Sequence, residues 1–307
     1  MQGFRSKELS ASGKRKLVFS RADAFWPELS QNQLTVPCGQ CVGCRLERSR
    51  QWAVRCVHEA SLHESNCFIT LTYSNEFLPA DGSLNLDHFQ KFMKRLRKRF
   101  GDGIRFFHCG EYGSLYGRPH YHAILFNFDF SDKVLWKEEN GQKLYRSAIL
   151  ESLWPFGHCS VGSATFESAA YVARYILKKV TGEAAADHYW TQPDEFGVIT
   201  ALKPEYTTMS RRPGIGKGWF EKFSSETYRD DNVVLRGKKM LPPKYYDRLY
   251  ELTNPSEHED LKFRRKMNAA KHKADNTPER LAVKLKVKLS KIKGLVRNLD
   301  KDALNDY

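Results

Sequence analysis

Hydrophobic and polar positions change period along this chain, and each change predicts an element. Cys67-Phe-Ile-Thr-Leu-Thr-Tyr73 is β-branched and aromatic and runs into Ser74-Asn75, the pattern of a central strand. After Asn85 or Asp87, either of which can cap a helix, Phe89, Phe92, Met93, Leu96 and Phe100 recur at i, i+3, i+4 and i+7. Lys and Arg fill the positions between them, so an amphipathic helix is expected that stops at Gly101. Residues 104–112 and 120–128 predict two strands joined by the turn-rich segment Gly113-Ser-Leu-Tyr-Gly-Arg-Pro119. A helix over 147–154, a short strand near 158–161 and a helix from about 168 to 181 follow. Upstream, residues 44–63 read as a helix with Ala53, Cys56, Val57 and Ala60 turned inward. The resulting β-α-β-β-α-β-α order predicts an α+β fold with helices on one face of a sheet.

The flanks carry weaker periods. A basic turn at 13–16 precedes a short strand at Leu17-Val-Phe19. Beyond Gly182 lies a polar insertion, then Thr208-Met-Ser-Arg-Arg-Pro-Gly-Ile-Gly-Lys-Gly218. The glycines of that segment, with Arg211, Arg212 and Lys217, suit either a phosphate-contacting loop or a plain surface turn. From 262 to 297 the chain is strongly basic. Leu281, Leu285, Leu289, Ile292 and Val296 keep helical spacing there, although residues 284–289 also alternate like a strand, so a basic helix is expected.

Two short motifs carry chemistry. In His120-Tyr121-His122 the alternation of a strand points both imidazoles to one face, as two ligands of one cation require. Glu111, on the neighbouring predicted strand, would add an oxygen ligand or else be a solvated strand-end carboxylate. Such a mixed set suits Mg²⁺ or Mn²⁺ with positions left open for phosphate oxygens. In Tyr171-Val-Ala-Arg-Tyr175, helical spacing groups Tyr171, Arg174, Tyr175, Lys178 and Lys179 on one side and Val172, Ala173, Ile176, Leu177 and Val180 on the other. The apolar side would dock on the sheet and leave two phenols and three cations facing outward, towards a phosphate backbone. A phenol is a poor nucleophile at its ordinary pKa of about 10, so Lys178, Lys179 or the metal would have to favour its phenolate. Attack on DNA by either tyrosine would give a covalent phosphotyrosine and a free 3′-hydroxyl.

Composition narrows the class. The 307 residues are 41% hydrophobic and 13% aromatic, enough for a full core. The 50 Lys and Arg against 36 Asp and Glu give a formal charge of +14, which favours polyanionic partners. No apolar run is long enough to span a membrane, and residues 1–7 lack the apolar region of an export signal, so a cytosolic protein without a membrane partner is expected. Cys38-Gly-Gln-Cys-Val-Gly-Cys44 has metal-ligand spacing but only three thiols. It is either a structural zinc site completed by Cys56, Cys159 or His158, or three reduced thiols at a helix start.

Taken together, Val36-Pro-Cys-Gly-Gln-Cys-Val-Gly-Cys-Arg-Leu-Glu47, Phe68-Ile-Thr-Leu-Thr-Tyr73, Gly110-Glu-Tyr-Gly113, Gly117-Arg-Pro-His-Tyr-His122, Tyr171-Val-Ala-Arg-Tyr-Ile-Leu-Lys-Lys179 and Met209-Ser-Arg-Arg-Pro-Gly-Ile-Gly216 resemble the HUH endonucleases. Within them the chain resembles the rolling-circle replication initiators of gokushovirus-type microviruses. The resemblance implies an HUH/relaxase-like (RRM-like) central antiparallel sheet with helices packed on it, an N-terminal Cys-rich segment and a basic helical C-terminal extension. His120 and His122 match the metal ligands, Tyr171 and Tyr175 the paired nucleophiles, and Lys178 the lysine that follows them. The middle residue of the motif, often apolar in the family, is Tyr121 here and is expected to face away from the metal.

The expected organisation is a segment with the Cys cluster and a helix (1–66), an endonuclease core (67–182), an accessory basic loop region (183–250) and a basic helical tail (251–307). The implied activity is site-specific nicking and rejoining of single-stranded origin DNA in the double-stranded replicative form of a phage, in the cytoplasm of a bacterial host and with host replication machinery including a helicase. Arg174, Arg211, Arg212 and Lys217 are the expected DNA contacts. A non-enzymatic nucleic-acid-binding protein and a plasmid or transposon nickase are the alternatives.

Overall fold

Side chains that alternate between the two faces of one sheet organise most of this chain. The computed structural model describes residues 2–9, 15–25, 33–113, 117–139, 141–174, 180, 184–190, 197 and 199–293. By their contacts they form two units, Met1–Arg48 and Ser49–Tyr307. The first holds a three-stranded antiparallel sheet of β1 (Gln2–Leu9), β2 (Arg15–Val18) and β3 (Gln33–Thr35) in the order β2-β1-β3. The boundary between the units falls inside α1 (Val42–Ala60).

The second unit continues with β4 (Asn66–Thr72), α2 (Leu86–Phe100), β5 (Arg105–Tyr112), β6 (Pro119–Phe126), β7 (Val134–Glu139), β8 (Gln142–Arg146), α3 (Ala148–Leu153), β9 (Cys159–Ser163) and α4 (Phe166–Arg174). Then come α5 (Ala184–Tyr189), β10 (Tyr206–Met209), α6 (Lys217–Asp230), the β11 (Val233–Leu235) and β12 (Lys238–Met240) hairpin, α7 (Lys244–Thr253), α8 (Pro255–Ala270) and α9 (Pro278–Lys293). Seven strands make one antiparallel sheet in the order β10-β5-β6-β4-β9-β8-β7. The core elements fall within a few residues of their expected positions. The β7–β8 hairpin and β10 are additions that the polarity of their sequences conceals.

Every residue of β6 is buried, so both faces of the sheet must be covered. On one face Ile69, Leu71, Tyr121, Ala123 and Leu125 lie beneath the Phe89, Phe92, Met93 and Leu96 stripe of α2 and beneath α3. On the other, Phe68, Phe107, Cys109, Ile124 and Phe126 pack against Cys56 of α1 and Ala169, Tyr171, Val172 and Ala173 of α4. The expectation of helices on one face is therefore corrected. An apolar run at both parities of β6 needs two covers, and α1 and α4 form the second. Helix α2 begins where the Asn85 side chain accepts from the Asp87 N–H and ends where Gly101, at φ +87°, returns its N–H to the Arg97 carbonyl.

Residues 183–250, expected as loops, contain α5, β10, α6, the β11–β12 hairpin and part of α7. A third apolar cluster of Phe220, Tyr228, Tyr246 and Leu261 ties α6, α7 and α8 together. His58 of α1 enters it, stacked on Trp219 at 3.5 Å between centroids, with Nδ1 3.0 Å from the Tyr246 hydroxyl. Arg265 of α8 bridges Asp231 at 2.6 Å and Asp247 at 2.9 Å. The basic tail is helical, and the strand-like alternation at 284–289 lies within α9, whose Leu281, Leu285 and Leu289 are about half exposed. Residues 294–307 lie outside the described residues. No helix among the described residues is long and apolar enough to cross a membrane.

Burial holds the His58 imidazole down at about 4, against an ordinary value of about 6.5. Between these values the unfolded chain takes up a proton that the folded one refuses, so stability falls as pH drops from about 6.5 to about 4 and is flat above. The full effect is about 3 kcal/mol. In urea titrations at pH 7.5 and 5, His58→Gln is expected to shrink the loss of unfolding free energy seen in the parent.

Candidate metal centre

The register of three strands assembles the site. Glu111 of β5 lies directly opposite His120 of β6, while Thr70 and Thr72 of β4 lie opposite His122 and His120. The alternation of β6 puts both histidines on the face that carries Phe68 and Phe107 and sends Tyr121 to the other, as expected. There the Tyr121 hydroxyl accepts from the Asn85 N–H at 2.8 Å and lies 2.8 Å from the Tyr73 hydroxyl. Glu111, His120 and His122 are 0%, 5% and 1% exposed, and their ligand atoms lie within 4.8 Å of one another. The residues expected to share a cation are thus brought together.

Second partners aim the two rings. His120 Nδ1 is 3.1 Å from the Arg118 carbonyl, and His122 Nδ1 is 3.0 Å from the Thr70 hydroxyl. Both Nε2 atoms then converge on Glu111 Oε1, at 2.8 and 3.1 Å. A carbonyl only accepts, so Nδ1 of His120 carries the proton, and in the neutral ring Nε2 presents a lone pair to a carboxylate oxygen. A positive charge, either a second proton or a cation, belongs between them. Imidazoles held at one nitrogen by a partner and free to ligate with the other are the usual form of metal-binding histidines, so the donor set fits a divalent cation. Burial alone would raise the Glu111 carboxyl, but His120 and His122 outweigh it and hold it well below the ordinary carboxylate range.

Tyr171 of α4 stands edge-on to the His122 ring at 5.1 Å and to Phe68 at 6.2 Å, and Phe68 stacks on His122 at 5.5 Å. Its ring is 4% exposed. This corrects the outward-facing helix side expected for it. Ala169, Val172 and Ala173 are buried too, because the helix sits in the concave side of a twisted sheet and meets it with more than one stripe. Tyr175, Lys178 and Lys179 lie outside the described residues, as does the side chain of Arg174.

The Ser210–Gly216 turn is fixed at several points. Ser210 and Phe106 exchange hydrogen bonds, Arg105 donates to the Pro213 carbonyl at 2.8 Å, Arg55 donates to the Ile215 carbonyl at 3.0 Å, and the Gly216 N–H donates to Glu59 at 2.6 Å. Glu59 also pairs with Arg105, and the Arg55 guanidinium lies between the rings of Trp52 and Tyr245. Arg211 and Arg212 project from this turn into solvent, and Lys217 is half-buried beside Glu221 at 3.2 Å. Thr70, Phe68 and the Glu59–Arg105 pair were missed by the sequence reading. The parity of Phe68 and Thr70 on the strand beside the HxH motif was the available signal.

In the first unit, Cys38, Cys41 and Cys44 also form a group with ligand atoms within 4.8 Å. The N–H groups of Cys41 and Gln40 draw the Cys38 thiol down to about 7. Cys56, Cys159 and His158, the expected fourth ligands, do not join that group among the described residues. Burial pushes Cys159 up to about 12 and Cys56 higher still, as apolar core thiols.

The model of a family of replication-associated proteins of the ORF2 type matches residues 66–180. Replication-associated protein VP4 of Bdellovibrio phage phiMH2K is 35% identical over 229 residues, covering 71% of this chain and 68% of that protein. Replication-associated protein ORF2 of Spiroplasma virus 4 is 36% identical over 252 residues, covering 76% and 74%. Replication-associated protein ORF4 of Chlamydia phage 1 is 31% identical over 246 residues, covering 77% and 59%. No solved structure gives a significant match.

Because Thr70 reaches His122 only at Nδ1, Thr70→Val is expected to weaken Mn²⁺ binding at least ~10-fold. Calorimetric titration measures this, and the thermal midpoint without metal should move by no more than a few degrees.

Proposed function

The chain belongs to the family of phage replication-associated proteins, and from that membership we propose that it is a metal-dependent tyrosine endonuclease of the HUH type. In this reading it nicks single-stranded origin DNA in the replicative form of a small circular phage genome, starting rolling-circle replication, and rejoins the strand to end it. The observation that carries the reading is the buried Glu111, His120 and His122 set with the Tyr171 ring against His122.

His120, His122 and Glu111 would hold Mg²⁺ or Mn²⁺, which when bound supplies Lewis-acid polarisation of the scissile phosphate. Glu111 stays ionised at neutral pH because the two histidines favour its anion. Phe68 and Tyr171 wall the site with rings and limit water on that side. Packing fixes the Tyr171 ring, so its phenol is positioned before substrate arrives. In the first transesterification the phenolic oxygen attacks phosphorus and the bond to the 3′ oxygen breaks. The phenol loses its proton, the leaving 3′ oxygen gains one, and the 5′ end stays on tyrosine as a phosphodiester. Attack by a 3′-hydroxyl on that ester reverses the exchange and rejoins a strand. Tyr175, four residues on, lets one tyrosine hold a 5′ end while the other cuts, and Lys178 and Lys179 favour the phenolate of either.

Arg174, Arg211, Arg212 and Lys217 would carry the phosphate contacts, adding to the attraction of a +14 chain for DNA. Host replication proteins, a helicase among them, would extend the free 3′ end in the bacterial cytoplasm.

Incubation with a labelled single-stranded oligonucleotide pool and Mn²⁺, followed by denaturing electrophoresis, is expected to give a covalent protein–DNA band. The band should disappear in the Tyr171→Phe, Tyr175→Phe double variant. Replacing His120 and His122 by Ala should abolish metal-dependent nicking, while salt-sensitive DNA binding stays within a few-fold. Adducts that persist without both tyrosines would sink the assignment. A parent protein that binds DNA without any adduct would leave a non-enzymatic nucleic-acid-binding protein.

A further inference from the structure

The Cys-rich segment plays no part in the strand-transfer reading, and its geometry points elsewhere. Gly39, at φ +75°, turns the chain back on itself just after Cys38. The N–H of Cys41 then lies 3.2 Å from the Cys38 sulfur. Cys44 follows in the first turn of α1, so the free N–H groups of that helix end face the cluster. Cys41 is exposed and Cys38 and Cys44 half-buried, which leaves the sulfurs reachable from solvent.

The sulfur spacing separates a metal site from a disulfide. Cys38 and Cys44 are 3.9 Å apart. A disulfide needs about 2.05 Å, whereas the edge of a tetrahedron with ~2.3 Å zinc–sulfur arms is about 3.8 Å. All three sulfurs lie within 4.8 Å of one another. Three thiols cannot pair off among themselves, but they can share one ion. Three thiolates around a divalent ion leave a single negative charge, and the Arg48 guanidinium sits beside Gly39, 3.8 Å from where a Cβ on that residue would lie.

We propose that Cys38, Cys41 and Cys44 bind a zinc ion through three thiolates, with the fourth position taken by water or a donor outside the trio. This soft sulfur site differs in kind from the nitrogen and oxygen donors of Glu111, His120 and His122, so the chain selects two different metals by ligand chemistry. The Cys site fixes the fold of its segment, as structural zinc does elsewhere.

The test uses the full chain purified under reducing conditions without chelator. Elemental analysis is expected to find about one zinc per chain, falling close to zero in the Cys38→Ser, Cys44→Ser double variant. Because that variant can fail to fold, the parent is examined in parallel. After zinc removal, Co²⁺ should titrate to one equivalent with thiolate charge-transfer bands that added zinc bleaches. Iodoacetamide labelling mapped by mass spectrometry should show Cys38, Cys41 and Cys44 slowed at least ~10-fold by zinc. Equal labelling with and without zinc overturns the proposal. So does zinc content unchanged by the double substitution, or a disulfide within the trio that forms in the presence of stoichiometric zinc. None of these readouts involves DNA, so failure here is distinguishable from failure of the nuclease reading.

Discussion

The pairing of β6 with β5 on one side and β4 on the other is the constraint on which the rest of the structure depends. β6 is buried along its whole length, so each of its residues must match what covers its own face. A slip by one residue would drive two imidazoles under α2 and bring the Tyr121 ring to Glu111. Register is held in part by the Tyr121 hydroxyl, which accepts from the N–H and donates to the carbonyl of Asn85 at the start of α2. The same strand that lends two ligands to one face thus anchors the helix on the other. Core packing and site geometry are one specification, read at alternate residues.

Period and parity were the readable part. The 3.6-residue stripe of α2, its Asn85 cap and its Gly101 stop were legible because all three signals are local. The grouping of Glu111 with His120 and His122 was legible because two adjacent strands joined by a short turn leave little choice of register. Tyr171 was placed on the correct helix but given the wrong surroundings. A helical wheel divides polar from apolar residues, and a tyrosine scores as polar, yet its ring buries as readily as a phenylalanine when aromatic neighbours are present. Only the tertiary contact with Phe68 and His122 decides between the two.

What escaped the sequence reading depends on partners distant along the chain. β10 has four residues and no strong pattern, and it becomes a strand because β5 offers an edge. The cluster around Tyr246 draws on α1, α6, α7 and α8, none of which has a full apolar stripe. Glu59 and Arg55 look like helix-surface charges. They are buried or sandwiched because the 213–216 turn, more than 150 residues away, supplies their hydrogen-bond partners. No period within a single segment encodes such a match.

That turn has a further consequence. Its backbone is held by Phe106, Arg105, Arg55 and Glu59, while Arg211 and Arg212 stay in solvent. Ordering a loop residue takes roughly 1–2 kcal/mol of backbone entropy, and a floppy loop meets that penalty when its ligand docks. Here the loss is taken during folding and offset by the buried Glu59–Arg105 pair. Two arginines are thereby presented on a preorganised platform, so association freezes only their side chains.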